Sequence, residues 1–221
     1  MSTLVVTGTG TGVGKTVVTA ALATLAPSVC VVKPAQTGVT ADEPGDLDEV
    51  VRRAGPHVRT VELARYPDPL SPEAAARRAG LPTLTLDEVV ATVRRCDSDL
   101  VLVEGAGGLL VRFSERGLTL ADVAVALGAP VLVVTSAGLG TLNSTALTLE
   151  ALAARGISCT GLVLGCWPSA PDLAARSNVA DLRAMAPLVG AVPEGADGDA
   201  RDWLAAPLGG RFDADEWAGS L

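Results

Sequence analysis

Leu4-Val5-Val6-Thr7-Gly8-Thr9-Gly10-Thr11-Gly12-Val13-Gly14-Lys15-Thr16-Val17-Val18-Thr19-Ala20-Ala21-Leu22-Ala23 passes from a short apolar run through a glycine-rich turn into an Ala- and Val-rich segment. The order is strand, turn, Lys-Thr, helix. It suits a phosphate group, because glycines let the backbone come close while N–H groups of the turn and helix start point at phosphate oxygens. In such a loop Lys15 reaches the outer phosphates and the Thr16 hydroxyl is a ligand for Mg²⁺. Gly12, Val13, Gly14 and Val17 complete the nucleotide-binding stretch. Five residues separate Gly8 from Gly14, one more than in the common form of the motif. A dinucleotide-binding turn competes for Gly8-x-Gly10. It fails because Val13 takes the third glycine position and the second strand ends in Lys33 instead of a ribose-binding acid.

A census of the basic residues adds a second site. Among 17 Lys and Arg, only Lys15 and Lys33 are lysines. Lysine is a compact, flexible point charge and arginine a planar fork, so the two do not interchange in a tight phosphate site. Lys33 opens Lys33-Pro34-Ala35-Gln36-Thr37-Gly38, where Pro34 and Gly38 predict a loop at a strand's carboxyl end. Next to bound phosphates its role is electrostatic, neutralising charge on a transferring group.

Outward from these residues the chain alternates apolar runs with Ala- and Leu-rich segments. Strands are expected at 4–7, 29–33, 100–104, 131–135, 160–164 and 188–192. Helices are expected at 15–25, 47–54, 72–79, 86–95, 120–127, 142–155 and 179–185. The strands are nearly continuous apolar runs, as in strands buried on both faces. The pattern predicts an α/β fold with a doubly wound, mostly parallel sheet of the P-loop nucleoside triphosphate hydrolase type, with ligands at the carboxyl ends of the strands. At 221 residues the chain is expected to form one domain, 1–221, with a docked or frayed tail after Leu204.

The bulk properties exclude other classes. Aromatics are 3% and hydrophobic residues 48%, so the core must be built from Val, Leu and Ala. A net charge of −8 opposes non-specific nucleic-acid binding. The uncharged stretch 123–140 is split by Gly128-Ala129-Pro130 into pieces too short to span a bilayer. No signal-peptide pattern opens the chain, and Cys30, Cys96, Cys159 and Cys166 lack metal-type spacing. They read as reduced and mostly buried, in a soluble cytoplasmic protein.

Two further segments carry polar residues at strand ends. Leu100-Val101-Leu102-Val103-Glu104-Gly105-Ala106-Gly107-Gly108 ends in one acid and a glycine-rich turn, the layout of a strand-end acid serving Mg²⁺. Gly140-Thr141-Leu142-Asn143 begins a helix whose free N–H groups either hold an anion or are ordinarily capped. Asp46, in Gly45-Asp46-Leu47-Asp48-Glu49, reads by itself as a helix cap. His57, the only histidine, reads as a solvated loop residue.

Together these segments resemble dethiobiotin synthetase, through Gly8-Thr9-x-Thr11-x-Val13-Gly14-Lys15-Thr16, Lys33-Pro34-x-x-Thr37-Gly38, Asp46, Val103-Glu104-Gly105-Ala106-Gly107-Gly108 and Leu139-Gly140-x-x-Asn143. The matches span about the first two-thirds of the chain. The resemblance implies a homodimer that uses Mg-ATP and CO₂ to close a ureido ring on 7,8-diaminononanoate (7,8-diaminopelargonate). It implies that Thr16, Asp46 and Glu104 hold Mg²⁺, and that Lys15 and Lys33 bind phosphate and carbamate oxygens. Asp46, Glu104, Gly105, Ala106 and Gly107 join the nucleotide site. Thr37 contacts the diamine end, and the helix start at Gly140, Thr141, Leu142 and Asn143 receives the substrate carboxylate from the neighbouring subunit.

Two positions depart from the family pattern. Gly12 stands where a Glu is frequent. Gly165 stands where an adenine-reading Asn is common, leaving backbone contacts from Gly165-Cys166 and Val192-Pro193-Glu194 and opening the site to other nucleoside triphosphates. Rival readings within P-loop folds are a dimeric ATPase that positions other proteins, an amidotransferase and a non-catalytic nucleotide-binding module. The first usually has an additional lysine early in its loop, which Gly10-Thr11-Gly12 lacks. The second needs a Cys-His domain for which this chain has no room.

Overall fold

The computed structural model describes residues 2–196. The tail after Leu204 and its expected docking lie outside the described residues. Seven parallel strands form one sheet: β1 (Ser2–Gly8), β2 (Val29–Thr37), β3 (Val58–Tyr66), β4 (Leu100–Gly108), β5 (Val131–Thr135), β6 (Cys159–Trp167) and β7 (Leu188–Pro193), in the order β3-β2-β4-β1-β5-β6-β7. Seven helices connect them: α1 (Lys15–Ala23), α2 (Asp46–Ala54), α3 (Pro72–Ala79), α4 (Leu86–Arg94), α5 (Leu120–Leu127), α6 (Thr141–Ala153) and α7 (Leu173–Met185). β1 lies centrally, with β4 on one side and β5 on the other. The chain order reverses across β1, so a crevice opens at the carboxyl ends beside it, where ligands of such sheets bind.

The β-branched runs bury both faces. Leu4, Val6, Val31, Leu102 and Leu132 belong to one apolar cluster, with Val18, Ala21 and Leu22 of α1. Val5, Val32, Val101, Val103 and Val133 belong to another, with Ala121 and Ala124 of α5. A continuous apolar strand is thus consumed on two sides.

Five expectations need correction. β3 was absent from the sequence reading, because Val58-Arg59-Thr60-Val61-Glu62-Leu63-Ala64-Arg65-Tyr66 alternates with polar residues and is an edge strand, bonded only to β2. β2 does not stop at Lys33 but continues to Thr37. Beyond Val32 it pairs with β3 alone, so Pro34 lies where a missing N–H is tolerated. β4 likewise runs through its glycines to Gly108, which pairs with Gly8.

α7 begins at Leu173 with an Asp172 cap, six residues before the expected start. Of the cysteines, Cys30 and Cys96 are buried with their sulfurs 2.9 Å apart. Burial, then the Cys96 contact, pushes the Cys30 thiol up to about 12. Cys166, expected with the buried set, is exposed.

Candidate active site

The loop between β1 and α1 is shaped by close packing. Gly14, the N-cap of α1, has φ +95°, a conformation that favours glycine. A Cβ on Gly14 would run into the Gly165 carbonyl oxygen, and one on Gly165 would run into the Val13 carbonyl oxygen. The β6 end therefore presses on the phosphate loop more closely than any side chain at position 165 allows. Thr9 N–H donates to the Val134 carbonyl at 2.9 Å, fixing the start of the loop to β5. Lys15 Nζ folds back to the Gly10 carbonyl at 3.0 Å.

A buried charge cluster lies beside this loop. Lys33 is 2% exposed and Glu104 is fully buried, with Nζ 2.7 Å from Glu104 Oε1. Lys33 Nζ also donates to Asp46 Oδ2 and, at 3.1 Å, to the Gly105 carbonyl. Thr16 Oγ1 donates to Glu104 Oε1 at 3.1 Å. Burial alone would lower the pKa of Lys33, but the Glu104 and Asp46 carboxylates outweigh it and hold the ammonium above its ordinary value. Lys15 goes the other way. Burial, and next the charge of Lys33, hold it below the ordinary lysine range against the pull of Glu104 and Asp46.

These groups open onto one cavity of about 610 Å³, lined by Gly12, Gly14, Lys15, Thr16, Val17, Lys33, Thr37, Asp46, Ala106 and Gly107 among others. Most of the residues assigned from sequence to phosphate, metal and diamine are thus gathered by three strand ends, those of β1, β2 and β4. Asp46 is the first residue of α2, with Gly45 as the cap, so its carboxylate is not the helix cap. Pro69, Leu70, Ser71 and Pro72, the connection from β3 into α3, form another wall. The sequence reading missed them as site residues. Ser71-Pro72 was legible as a helix start, but its direction depends on β3.

Three groups of predicted residues lie outside this cavity's lining: Val13, Glu104 and Gly105, of which Glu104 is fully buried behind Lys33, and two groups at the ends of other elements. Gly165, Cys166, Val192, Pro193 and Glu194 form the ends of β6 and β7, where Trp167 pairs with Pro193. Glu194 Oε2 is held by the Ser169 N–H and hydroxyl, both at 2.9 Å. Gly140, Thr141, Leu142 and Asn143 begin α6, where Gly140 and Asn143 are exposed. The buried Thr135 hydroxyl is 2.7 Å from that of Thr141, 2.8 Å from that of Thr145 and 3.3 Å from that of Thr9. Asn178 Nδ2 donates to the carbonyls of Ala137 and Gly138 at 2.9 and 3.1 Å. The α6 start is therefore fastened to the phosphate loop through threonine hydroxyls and pinned by α7.

The donor set fits Mg²⁺. Glu104 Oε2 is buried and finds no hydrogen-bond partner among the described residues, and Thr16 and Asp46 supply further hard oxygens. Among the described residues no group of three or more His, Cys, Asp or Glu forms a cage of its own. Mg²⁺ does not need one, since it is commonly held by one or two carboxylates with substrate phosphates and water.

Comparison with known proteins places the chain. A family model described as an AAA domain matches residues 2–201. The ATP-dependent dethiobiotin synthetase BioD of Saccharopolyspora erythraea is 62% identical over 224 residues, covering 96% of this chain and 99% of the relative. The chain belongs to that domain family and, within it, to the dethiobiotin synthetases. The enzyme of the same name from Mycobacterium avium is 51% identical, covering 100% of this chain and 99% of its own.

Among solved structures, the cell division ATPase MinD of Pyrococcus furiosus superposes with a TM-score of 0.54 at 19% identity, covering 88% of this chain and 84% of MinD. A ParA family ATPase from Chlorobium tepidum gives 0.55 at 15% identity, covering 100% of this chain and 99% of its own. These two share the P-loop fold. The sequence identity, not the fold, separates this dethiobiotin synthetase family member from these two ATPases.

Proposed function

We propose that the chain closes the ureido ring of dethiobiotin from 7,8-diaminononanoate and CO₂, with ATP converted to ADP and phosphate, as a homodimer in the cytoplasm. The observation that carries this reading is the convergence of Lys15, Lys33, Thr16 and Asp46 on one cavity, with Glu104 buried behind Lys33 and Thr16, in a chain of this family. Among the described residues no Cys or His lines that cavity, which suits a reaction needing alignment and charge neutralisation but no side-chain nucleophile.

In the reaction, one amine of the diamine takes up CO₂ and loses a proton, giving a carbamate. A carbamate oxygen attacks the γ-phosphorus of ATP and ADP leaves. The second amine attacks the carbonyl of the resulting carbamic–phosphoric anhydride, phosphate leaves with the C–O bond electrons, the nitrogen loses a proton, and the ring closes. The loop N–H groups and Lys15 hold the phosphates in line. Lys33, kept protonated by its acids, neutralises the carbamate and the γ-phosphoryl oxygens. Thr37, at the end of β2, receives the diamine. Mg²⁺, held by Thr16, Asp46 and Glu104, would offset the charge on the nucleotide phosphates.

The start of α6 lies outside this chain's own cavity, which supports its service to a neighbouring subunit. Helix N-terminal N–H groups favour a carboxylate. Leu139, just before α6, is 93% exposed, and Leu147 is also exposed one turn after Asn143, on the same helix face. Apolar side chains on a rigidly pinned segment suit a subunit interface.

The base is met by the backbone of Gly165-Cys166 and Val192-Pro193-Glu194, without an amide side chain at position 165. Selectivity among nucleoside triphosphates is accordingly weak, and a panel should give kcat/KM values for ATP, CTP and GTP within about tenfold. A far greater preference for ATP would show that another group reads the base. The assay for the reaction itself is phosphate release from Mg-ATP with and without 7,8-diaminononanoate and bicarbonate. Release should require both, and release indifferent to the diamine would favour a switch ATPase.

A further inference from the structure

Asp46 needs a fixed place, and its own helix does not supply one. Gly45, the N-cap of α2, has no side chain to bond the first N–H groups. The acceptor comes instead from β2: Gln36 Oε1 takes the Asp46 N–H at 2.9 Å. The other end of the same amide, Nε2, donates to the Thr37 carbonyl at 3.2 Å. Because the Asp46 N–H is a donor, only the amide oxygen can face it, so the orientation of Gln36 is set.

The surroundings are cut to this contact. Gln36 is 5% exposed, and a Cβ on Gly45 would lie 3.0 Å from Gln36 Oε1 and 2.9 Å from Arg65 Nη2. Glycine at 45 thus leaves the space that the amide fills. Arg65 Nη1 holds the same connection from outside, through the Thr40 and Glu43 carbonyls at 3.0 and 2.6 Å.

We infer that Gln36 is a positioning residue, holding the Asp46 backbone to β2 so that the Asp46 carboxylate stays at the reaction site when Lys33 turns from it to substrate oxygens. The inference rests on the proposed role of Asp46. In the ligand-free protein two links tie Asp46 to β2: the ion pair with Lys33 and the amide of Gln36. Anionic substrates compete for the first. The second joins two neutral groups at the part-buried cavity wall and does not depend on the charge of Lys33.

The test uses Gln36→Met, which keeps length but has neither acceptor nor donor, and Gln36→Glu, which keeps the acceptor and loses the Nε2 donor. Steady-state kcat and KM are read alongside amide hydrogen exchange of the ligand-free protein. For Gln36→Met we expect kcat at least tenfold lower, a KM for ATP within about twofold, and Asp46 amide exchange at least tenfold faster with the β4 amides unchanged. Gln36→Glu should restore both kcat and Asp46 protection to within about threefold.

The inference is overturned if Gln36→Met turns over within twofold of the parent, if Gln36→Glu is equally slow, or if exchange rises throughout β4. A parent protein making no dethiobiotin would defeat the functional reading instead. The Asp46 exchange rates would still decide whether Gln36 holds that residue.

Discussion

Lys33 has traded water for two carboxylates and a carbonyl, and that exchange sets what its removal does. Sequence reading alone suggests that Lys33→Ala abolishes turnover and spares the fold. The burial of Glu104 argues otherwise, because Lys33→Ala leaves a fully buried carboxylate without its cation. Such a loss costs about 3 kcal/mol, or a fall in Tm of roughly 10 °C for a chain of this size. Calorimetry should show that fall in the ligand-free protein together with loss of turnover; an unchanged Tm would mean the cluster is not held as described. Gly165 is the second residue with a counter-intuitive outcome. Restoring the family's Asn should not improve ATP selectivity, because its Cβ meets the Val13 carbonyl. Gly165→Asn should destabilise by about 2 kcal/mol, as overpacking does, and weaken nucleotide binding. Tighter and more selective ATP binding by titration calorimetry would refute this.

Among the elements, α2 carries both an acid that lines the cavity, Asp46, and a surface ion cluster. Glu49 meets Arg52 at 2.6 Å and Arg53 at 2.5 Å, with a third of its side chain exposed. The Arg52 hydrogen bond, opposed by burial and aided by Arg53, lowers its pKa from 4.5 to about 2. A depressed carboxylate stabilises the fold above its unfolded pKa, and that contribution fades as pH falls from about 4.5 through 2. Solvent screening keeps it under about 1 kcal/mol. Glu49→Gln should therefore unfold slightly earlier in urea at pH 7 and match the parent near pH 2; a difference that grows in acid would reverse the sign. Most elements were legible because a strand buried on both faces reads as a solid apolar run, and helices between such runs have capped ends. β3 was not, since an edge strand needs only one apolar face and its polar alternation resembles a loop. With β3 hidden, the Pro69–Pro72 wall of the cavity was hidden too. Asp46 was visible as a helix-start acid, but the tie to Gln36 depends on β2 running on past Pro34, which a Pro-Gly reading cuts short.

On the scale of the whole molecule, the central strand β1 brings the phosphate loop between the Lys33 and Glu104 strands on one side and the β5–α6 turn on the other. The first side forms this chain's cavity. The second presents exposed Leu139, Asn143 and Leu147, the face that the proposed dimer would cover. Leu147→Glu should give a monomer in sedimentation, raise KM for the diamine at least tenfold and leave nucleotide affinity within about twofold. A dimer with parental kinetics would place the interface elsewhere. In the proposed reaction the carbamate oxygen attacks the γ-phosphorus beside Lys15 and Lys33. Turnover with fresh ¹⁸O-bicarbonate tests it most directly, by mass analysis of the released phosphate. Attack by the carbamate oxygen leaves one bicarbonate-derived ¹⁸O in each phosphate, with one dethiobiotin formed alongside it. Phosphate carrying only solvent oxygen, released at the same rate, would contradict it.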